Sequence, residues 1–117
     1  MTDFAFTDAE YHERAAAALA AIEAQIDRWL DEDLIDIDGH RTGGLLELAL
    51  PNGSKLIINT QPPLHELWLA AKAGGYHFRL QPSGQWLDTK DGVDFFQRLS
   101  EQASAQAGKP LTFSPTV

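Results

Sequence analysis

The segment NGSKLIINTQPPLHELWLA, residues 52–70, decides how this chain folds. Its opening Asn52-Gly53 supplies the positive φ angles of a tight reversal, so residues 51–54 are predicted to form a hairpin turn. The apolar runs on either side, residues 45–50 and 55–59, are then two antiparallel strands. Pro62-Pro63 ends the second strand because proline cannot continue a sheet ladder. Residues 64–70 are predicted to form either a further strand or a buried helical turn.

More strands are predicted on both sides of this segment. Residues 34–38 alternate apolar and acidic side chains, which indicates a strand, and residues 39–44 are interpreted as a connection. Gly74-Gly75 marks a reversal before an alternating strand at residues 76–80. A turn at residues 82–84 then leads into residues 85–88. The pattern predicts a meander of antiparallel strands.

A helix is predicted at each end of these strands. Thr7 and Glu10 have the spacing of a capping box, and apolar positions then recur every three or four residues to about Leu30. Residues 92–107 are predicted to form the second helix, with Gly108 as its C-terminal stop. Two helices on one face of a meandering sheet bury these apolar stripes economically. The sequence therefore predicts an α+β fold, a two-layer α-β-α sandwich, in a single domain of residues 1–117.

The composition excludes several classes of function. The chain has no Cys, which rules out disulfides, zinc–thiolate sites, thiol nucleophiles and thiolate-bound iron–sulfur clusters. A net charge of −8 argues against binding to nucleic acid. No long apolar run and no basic leader are visible, so we expect no membrane span and a cytoplasmic location. Neither a nucleophile constellation nor a phosphate loop is present, and the four His residues lack metal-ligand spacing.

The negative charge is concentrated in the first part of the chain. Residues 1–47 carry twelve acidic and three basic side chains, whereas residues 48–117 carry five and six. The densest part is a band that we call the acidic ridge: Glu23, Asp27, Asp31, Glu32, Asp33, Asp36 and Asp38. Carboxylates in such density are hard oxygen ligands that suit iron, Mn²⁺ or Ca²⁺, and they also suit a basic partner. The alternative is a solvated acidic face that only keeps the protein soluble.

The acids near the end of the first helix are unfavourable for the helix itself. Glu23, Asp27 and Asp31 are four residues apart, so they stack on one side and repel one another. The helix dipole also disfavours anions at a C-terminus. These penalties suggest that something positive compensates them.

A second candidate surface lies on the sheet. Leu67 and Leu69 share one face, which places Glu66 and Trp68 on the other. If the helices cover the leucines, Trp68 is exposed beside Asn59 and Gln61 as a binding hot spot. The alternative is that the alternation is misread and Trp68 belongs to the core.

The ordered series of motifs resembles the bacterial frataxin family. The resemblance rests on residues 52–59, on residues 61–70 with their Gln-Pro-Pro and Leu-Trp-Leu, and on Gly74-Gly75-Tyr76-His77-Phe78. An acidic first helix, an acidic first strand, a tryptophan in the sixth strand and a closing helix agree with it. The resemblance covers residues 7–113.

The resemblance implies a role in iron–sulfur cluster assembly and not an enzymatic activity. It implies that the acidic ridge binds ferrous and ferric iron weakly and reversibly, with other divalent cations as further ligands. It also implies docking on the cysteine desulfurase and the scaffold protein, with Asn59, Gln61 and Trp68 as partner-binding residues, and a monomer in the absence of iron. Two alternatives stay open: an acidic interaction module whose metal binding is incidental, and a weak ferroxidase. Ala24 and Arg28 stand where relatives often carry acids, so a lower iron capacity is expected here.

Overall fold

Two helices and six antiparallel strands form the part of the chain that the computed structural model describes, residues 6–115. Their bounds in chain order are α1 Asp8–Asp31, β1 Asp38–Thr42, β2 Leu45–Ala49, β3 Lys55–Gln61, β4 Glu66–Ala71, β5 Gly74–Leu80, β6 Trp86–Asp88 and α2 Phe95–Ala107. The ends of the predicted domain, residues 1 and 117, lie outside the described residues. Among the described helices, none is both long enough and apolar enough to cross a membrane.

The strands form one sheet in which each strand pairs with its neighbours in sequence, in the order β1 to β6. The predicted hairpin between β2 and β3 is present, but of the pair Asn52-Gly53 only Gly53 has a positive φ, of 88°. Asn52 instead stabilises the turn with its side chain, whose Oδ1 accepts from the N–H of Ser54 at 3.0 Å. Of the two alternatives for residues 64–70, the strand is confirmed as β4. The helical turn lies earlier, as a single 3₁₀ turn at Pro62–Leu64, and it contains no buried residue. Gly74 and Gly75 belong to β5, so the predicted reversal lies just before them, at residues 72–73.

The first strand is not where the alternating pattern placed it. Residues 34–37 are an irregular connection, and β1 begins at Asp38 and pairs with β2 through a turn at Gly43-Gly44. The prediction for residues 34–38 was wrong because their alternation reflects a loop that buries Ile37 and leaves Leu34 exposed. Gly39 admits β1 beside α1, since an added Cβ would lie 2.7 Å from Cδ1 of Ile26.

The core lies between the two helices and one face of the sheet. The buried face of α1 includes Tyr11, Ile22 and Trp29, and α2 buries Phe95 and Leu99. The segment after α2 adds Leu111 and Phe113, and the Phe113 ring packs edge-on against Trp29. The two-layer α+β arrangement predicted from the sequence is therefore confirmed, and neither α1 nor α2 covers the other face of the sheet, which we call the helix-free face.

Candidate functional site

Helix α1 ends in a turn that is crowded with carboxylates. The N–H of Asp33 donates to Leu30 O at 3.1 Å and the N–H of Leu34 donates to Trp29 O at 2.9 Å, the paired bonds of a Schellman ending. Asp33 occupies the left-handed position of this motif with a φ of 58°, where glycine is the usual residue. The geometry fixes Asp31, Glu32 and Asp33 together at the negative end of the helix dipole.

One member of the acidic ridge is neutralised inside the molecule. Arg41 Nη1, from β1, donates to Glu23 Oε1 at 2.8 Å. This pair supplies part of the positive compensation that the helix penalties suggested. Any other cation at Glu23 must compete with the Arg41 guanidinium.

Asp38 lies apart from the helical acids. In the pairing of β1 with β2, Gly39 and Arg41 oppose the buried residues Leu48 and Leu46, so they share the helix-covered face. Because side chains alternate along a strand, Asp38 belongs to the opposite face of the sheet. Asp38 is predicted from the sequence to belong to the ridge, but its side chain lies on the other side of the edge strand.

The remaining five acids of the ridge are exposed and have no counter-ion among the described residues. Within the part of the chain described, Asp27, Asp31, Glu32, Asp33 and Asp36 form no salt bridge. Nor do the described residues bring three His, Cys, Asp or Glu side chains close enough together to hold a metal ion. The carboxylates are suitable oxygen donors for iron, but they do not converge on one point. The surface can attract cations and basic groups without a preformed coordination cage.

The predicted partner-binding residues come together on the helix-free face of the sheet. Asn59 pairs with Trp68 and Trp68 with His77, while Gln61 pairs with Glu66 and Glu66 with Arg79. Leu67 and Leu69 are fully buried on the other face, and Trp68 is half-buried. Trp68 is therefore directed away from the helices, which excludes the alternative of a core tryptophan.

The Trp68 indole is held on two sides. Its Nε1–H donates to Glu66 Oε1 at 2.8 Å, and its ring stacks on His77 with centroids 4.0 Å apart and planes 5° from parallel. Glu66 is itself only 3% exposed, and Arg79 Nη2 donates to its second carboxylate oxygen at 2.9 Å. A fixed aromatic side chain loses little conformational entropy when a partner covers it, which favours its use as an anchor.

Sequence reasoning placed Glu66 on the face of Trp68 but missed His77 and Arg79, which complete its surroundings. Phe78 and Leu80 are buried, so the same alternation assigns His77 and Arg79 to the helix-free face. That signal was present in residues 76–80, but the histidines were interpreted one by one and not as members of a strand face.

A buried tyrosine connects helix α1 to the start of β4. Tyr11 Oη donates to Glu66 O at 2.6 Å and accepts from the N–H of Gln61 at 3.1 Å. Burial raises the pKa of the Tyr11 phenol, because the interior disfavours the charged phenolate. The neutral hydroxyl thus satisfies two backbone groups directly behind the partner-binding residues.

Comparison with known proteins identifies the family to which the chain belongs. The model of the frataxin-like domain family matches residues 4–109. The chain belongs to the frataxin family. The frataxin relatives include the "Iron-sulfur cluster assembly protein CyaY" of Variovorax paradoxus (strain S110), 54% identical over 108 residues that cover 92% of this chain and 97% of the relative. The protein of the same name from Polaromonas sp. (strain JS666 / ATCC BAA-500) is 53% identical and covers 95% of each chain.

Solved frataxin structures share the fold. Frataxin from Psychromonas ingrahamii is 34% identical, with a TM-score of 0.80 over 93% of this chain and 99% of that one. A trimeric frataxin from the yeast Saccharomyces cerevisiae, complexed with ferrous iron, is 25% identical with a TM-score of 0.63, and 92% of each chain is covered. The family and architecture predicted from residues 52–78 are thereby confirmed.

Proposed function

We propose that this frataxin serves iron–sulfur cluster assembly by docking through its acidic ridge on a basic surface of the cysteine desulfurase and scaffold machinery, and that it carries iron weakly on the same ridge. The observation that supports this best is the row of exposed, internally unpaired carboxylates around the end of α1. The relatives named as iron–sulfur cluster assembly proteins support the proposed process. The yeast frataxin complexed with ferrous iron supports the choice of metal.

The geometry favours weak and exchangeable iron binding. The described residues contain no group of three potential ligands, so an ion on the ridge would be held by few carboxylates and many waters. Iron on the ridge is cargo in this proposal, and the protein supplies a negative surface that raises its local concentration.

Iron binding is tested by titrating Fe²⁺ under anaerobic conditions while amide chemical shifts are followed by NMR. We expect the first perturbations at residues 23–36, the largest around Asp31 and Asp33. Shifts confined to the histidines would contradict the assignment to the ridge. Sedimentation of the same samples tests the expected iron-free monomer, and a trimer without iron would contradict it.

Docking is tested with a matched pair of charge reversals on helix α1. Asp27→Lys removes a ridge carboxylate, whereas Glu13→Lys makes the same charge change on an exposed position outside the ridge. We expect Asp27→Lys to weaken the complex with the cysteine desulfurase about tenfold or more, while Glu13→Lys has a much smaller effect. An equal loss of affinity in the two variants would show that binding depends on net charge alone and not on the position of the ridge.

A second contact is proposed on the helix-free face of the sheet, at Asn59, Gln61 and Trp68. A clamped and half-buried tryptophan has the character of an interface hot spot, where truncation costs at least about tenfold in affinity. Trp68→Ala is therefore expected to weaken binding to the scaffold protein. An unchanged affinity in a variant that remains folded would remove this face from the proposal.

The alternative function, a pure interaction module, differs from this proposal in its dependence on iron. A reconstituted cluster-assembly assay across a range of iron concentrations separates them, because the module would act identically with and without excess iron. We also propose that the chain is not an enzyme. Saturable oxygen consumption on adding Fe²⁺ would contradict this and favour the ferroxidase alternative.

A further inference from the structure

Two half-exposed leucines lie among the carboxylates of the acidic ridge. Leu30 is 50% exposed and Leu34 is 42% exposed. Leu30 follows Asp27 by three residues and Glu23 by seven, so it is on the same side of α1 as these acids. Leu34 is joined to the same turn through its N–H bond to Trp29 O. The surface around the end of α1 is therefore not only acidic, because it has an apolar centre.

A basic side chain also lies at the border of this surface. Lys109, just beyond α2, donates from Nζ to Leu34 O at 2.8 Å. This bond fixes the backbone that carries Leu34, and among the described residues Lys109 forms no salt bridge with a ridge carboxylate. Leu34 is thus held in place from two sides without being covered.

We propose that Leu30 and Leu34 are an apolar anchor at the centre of the docking surface, and that the partner presents an apolar contact ringed by lysines or arginines. Charge complementarity selects this occupant, because the five ridge acids without a described salt bridge each lie within three residues of Leu30 or Leu34 in the chain. These carboxylates would repel an acidic partner, and a purely apolar partner would remove their hydration without replacing it. The inference rests on the proposed docking of the ridge and adds the chemical character of the partner's surface. The carboxylates steer the encounter, and the leucines supply contact energy that salt does not screen.

The expected magnitude follows from the exposed leucine surface. Burying the remaining half of one leucine side chain contributes about fivefold in affinity, and both together contribute about twentyfold. Acidic residues at the rim, in contrast, mainly set the association rate and its salt dependence.

The test measures binding of the cysteine desulfurase at increasing salt for Leu30→Ser, for Leu30→Ser with Leu34→Ser, and for Asp27→Asn with Asp31→Asn. We expect the leucine variants to lose affinity by about five- and twentyfold at every salt concentration, with an unchanged slope of log affinity against log salt. The aspartate variant should show a shallower slope. Leu64→Ser is the matched control, because Leu64 is 48% exposed but lies in the 3₁₀ turn before β4, outside the ridge.

The possible outcomes distinguish a failure of the leucine anchor from a failure of docking through the acidic ridge. If the aspartate variant weakens binding and the leucine variants do not, the anchor is refuted while docking by the ridge stands. If Leu64→Ser weakens binding as much as Leu30→Ser, the anchor is also refuted. If the unsubstituted protein does not bind, the docking proposal fails and the anchor with it. A concentration-dependent dimer that only the leucine variants abolish would assign the patch to a second copy of this chain and overturn the inference. Because Leu34 belongs to the helix-ending motif, the single Leu30→Ser variant keeps the test valid if the double variant is unstable.

Discussion

Replacing Asp33 by glycine should stabilise the protein. An L-residue in the left-handed region costs about 1–2 kcal/mol, and aspartate lies near the lower limit because its short side chain tolerates this conformation. With its φ of 58°, Asp33 incurs this cost at the end of α1. Its charge at the negative end of the helix dipole adds about 0.3–1 kcal/mol. The extra backbone freedom of glycine in the unfolded chain opposes these gains by about 0.5–1 kcal/mol. The net expectation is a free energy of unfolding higher by about 0.5–1 kcal/mol.

Urea unfolding at pH 7 measures this change directly, through a higher midpoint at an unchanged slope. The melting temperature should rise by about 2–4 °C, given that 1 kcal/mol corresponds to roughly 4 °C in a domain of this size. Asp33→Asn should gain only the charge contribution, since asparagine also tolerates the left-handed region. Asp33→Ala should be no more stable than the unsubstituted protein. A glycine variant no more stable than the alanine variant would refute the reasoning about backbone strain.

Three further outcomes are expected. Arg41→Gln should release Glu23 and raise the affinity of the ridge for Mn²⁺, which calorimetry measures. Arg28→Gln is the control, because it makes the same charge change without breaking a described ion pair. Equal increases in affinity for the two variants would contradict competition by Arg41. Tyr11→Phe should lower the free energy of unfolding by about 1–3 kcal/mol, because the buried carbonyl of Glu66 and the partly buried N–H of Gln61 lose this hydrogen-bond partner. An unchanged urea midpoint would argue against this. The hydrogen bond from Arg98 holds the pKa of the Asp91 carboxyl below its usual range. Asp91 therefore stabilises the fold at a pH above the pKa that it has in the unfolded chain. This contribution is lost as the pH falls through the lower pKa of the folded protein. Asp91→Asn should therefore flatten the acid side of the stability profile, and an unchanged profile would contradict the assignment.

The sequence predicts well those elements whose signals are local. Turn chemistry at Asn52-Gly53, the capping box at Thr7 and the left-handed stop at Gly108 depend on residues adjacent in the chain, and the structure has all three. Strand β1 was misplaced because every one of its side chains is exposed, so it has no alternation of buried and exposed residues to detect. Its position depends on backbone pairing with β2 and on the space that Gly39 leaves beside α1.

In the candidate site, too, the features with local sequence signals were predicted, and those that depend on contacts between elements were not. The carboxylates and the side of the sheet that carries Trp68 follow from spacing alone. The Arg41 bond to Glu23 joins residues eighteen apart across two elements, and the turn of Asp38 to the opposite face follows from a register that the sequence does not display. Such contacts depend on where β1 lies, so the error in that strand carried over into the expected charge balance of the ridge.

The order of the strands bears on how the chain folds. Because each strand of the sheet pairs with the one next to it in sequence, the sheet can assemble hairpin by hairpin with little loss of loop-closure entropy. Helix α1 differs, since Tyr11 finds its hydrogen-bond partner Glu66 fifty-five residues away. We therefore expect the N-terminal part of α1 to dock late on the sheet, because this contact closes a long loop. Substitutions on the buried face of α1 should accelerate unfolding more than they slow folding.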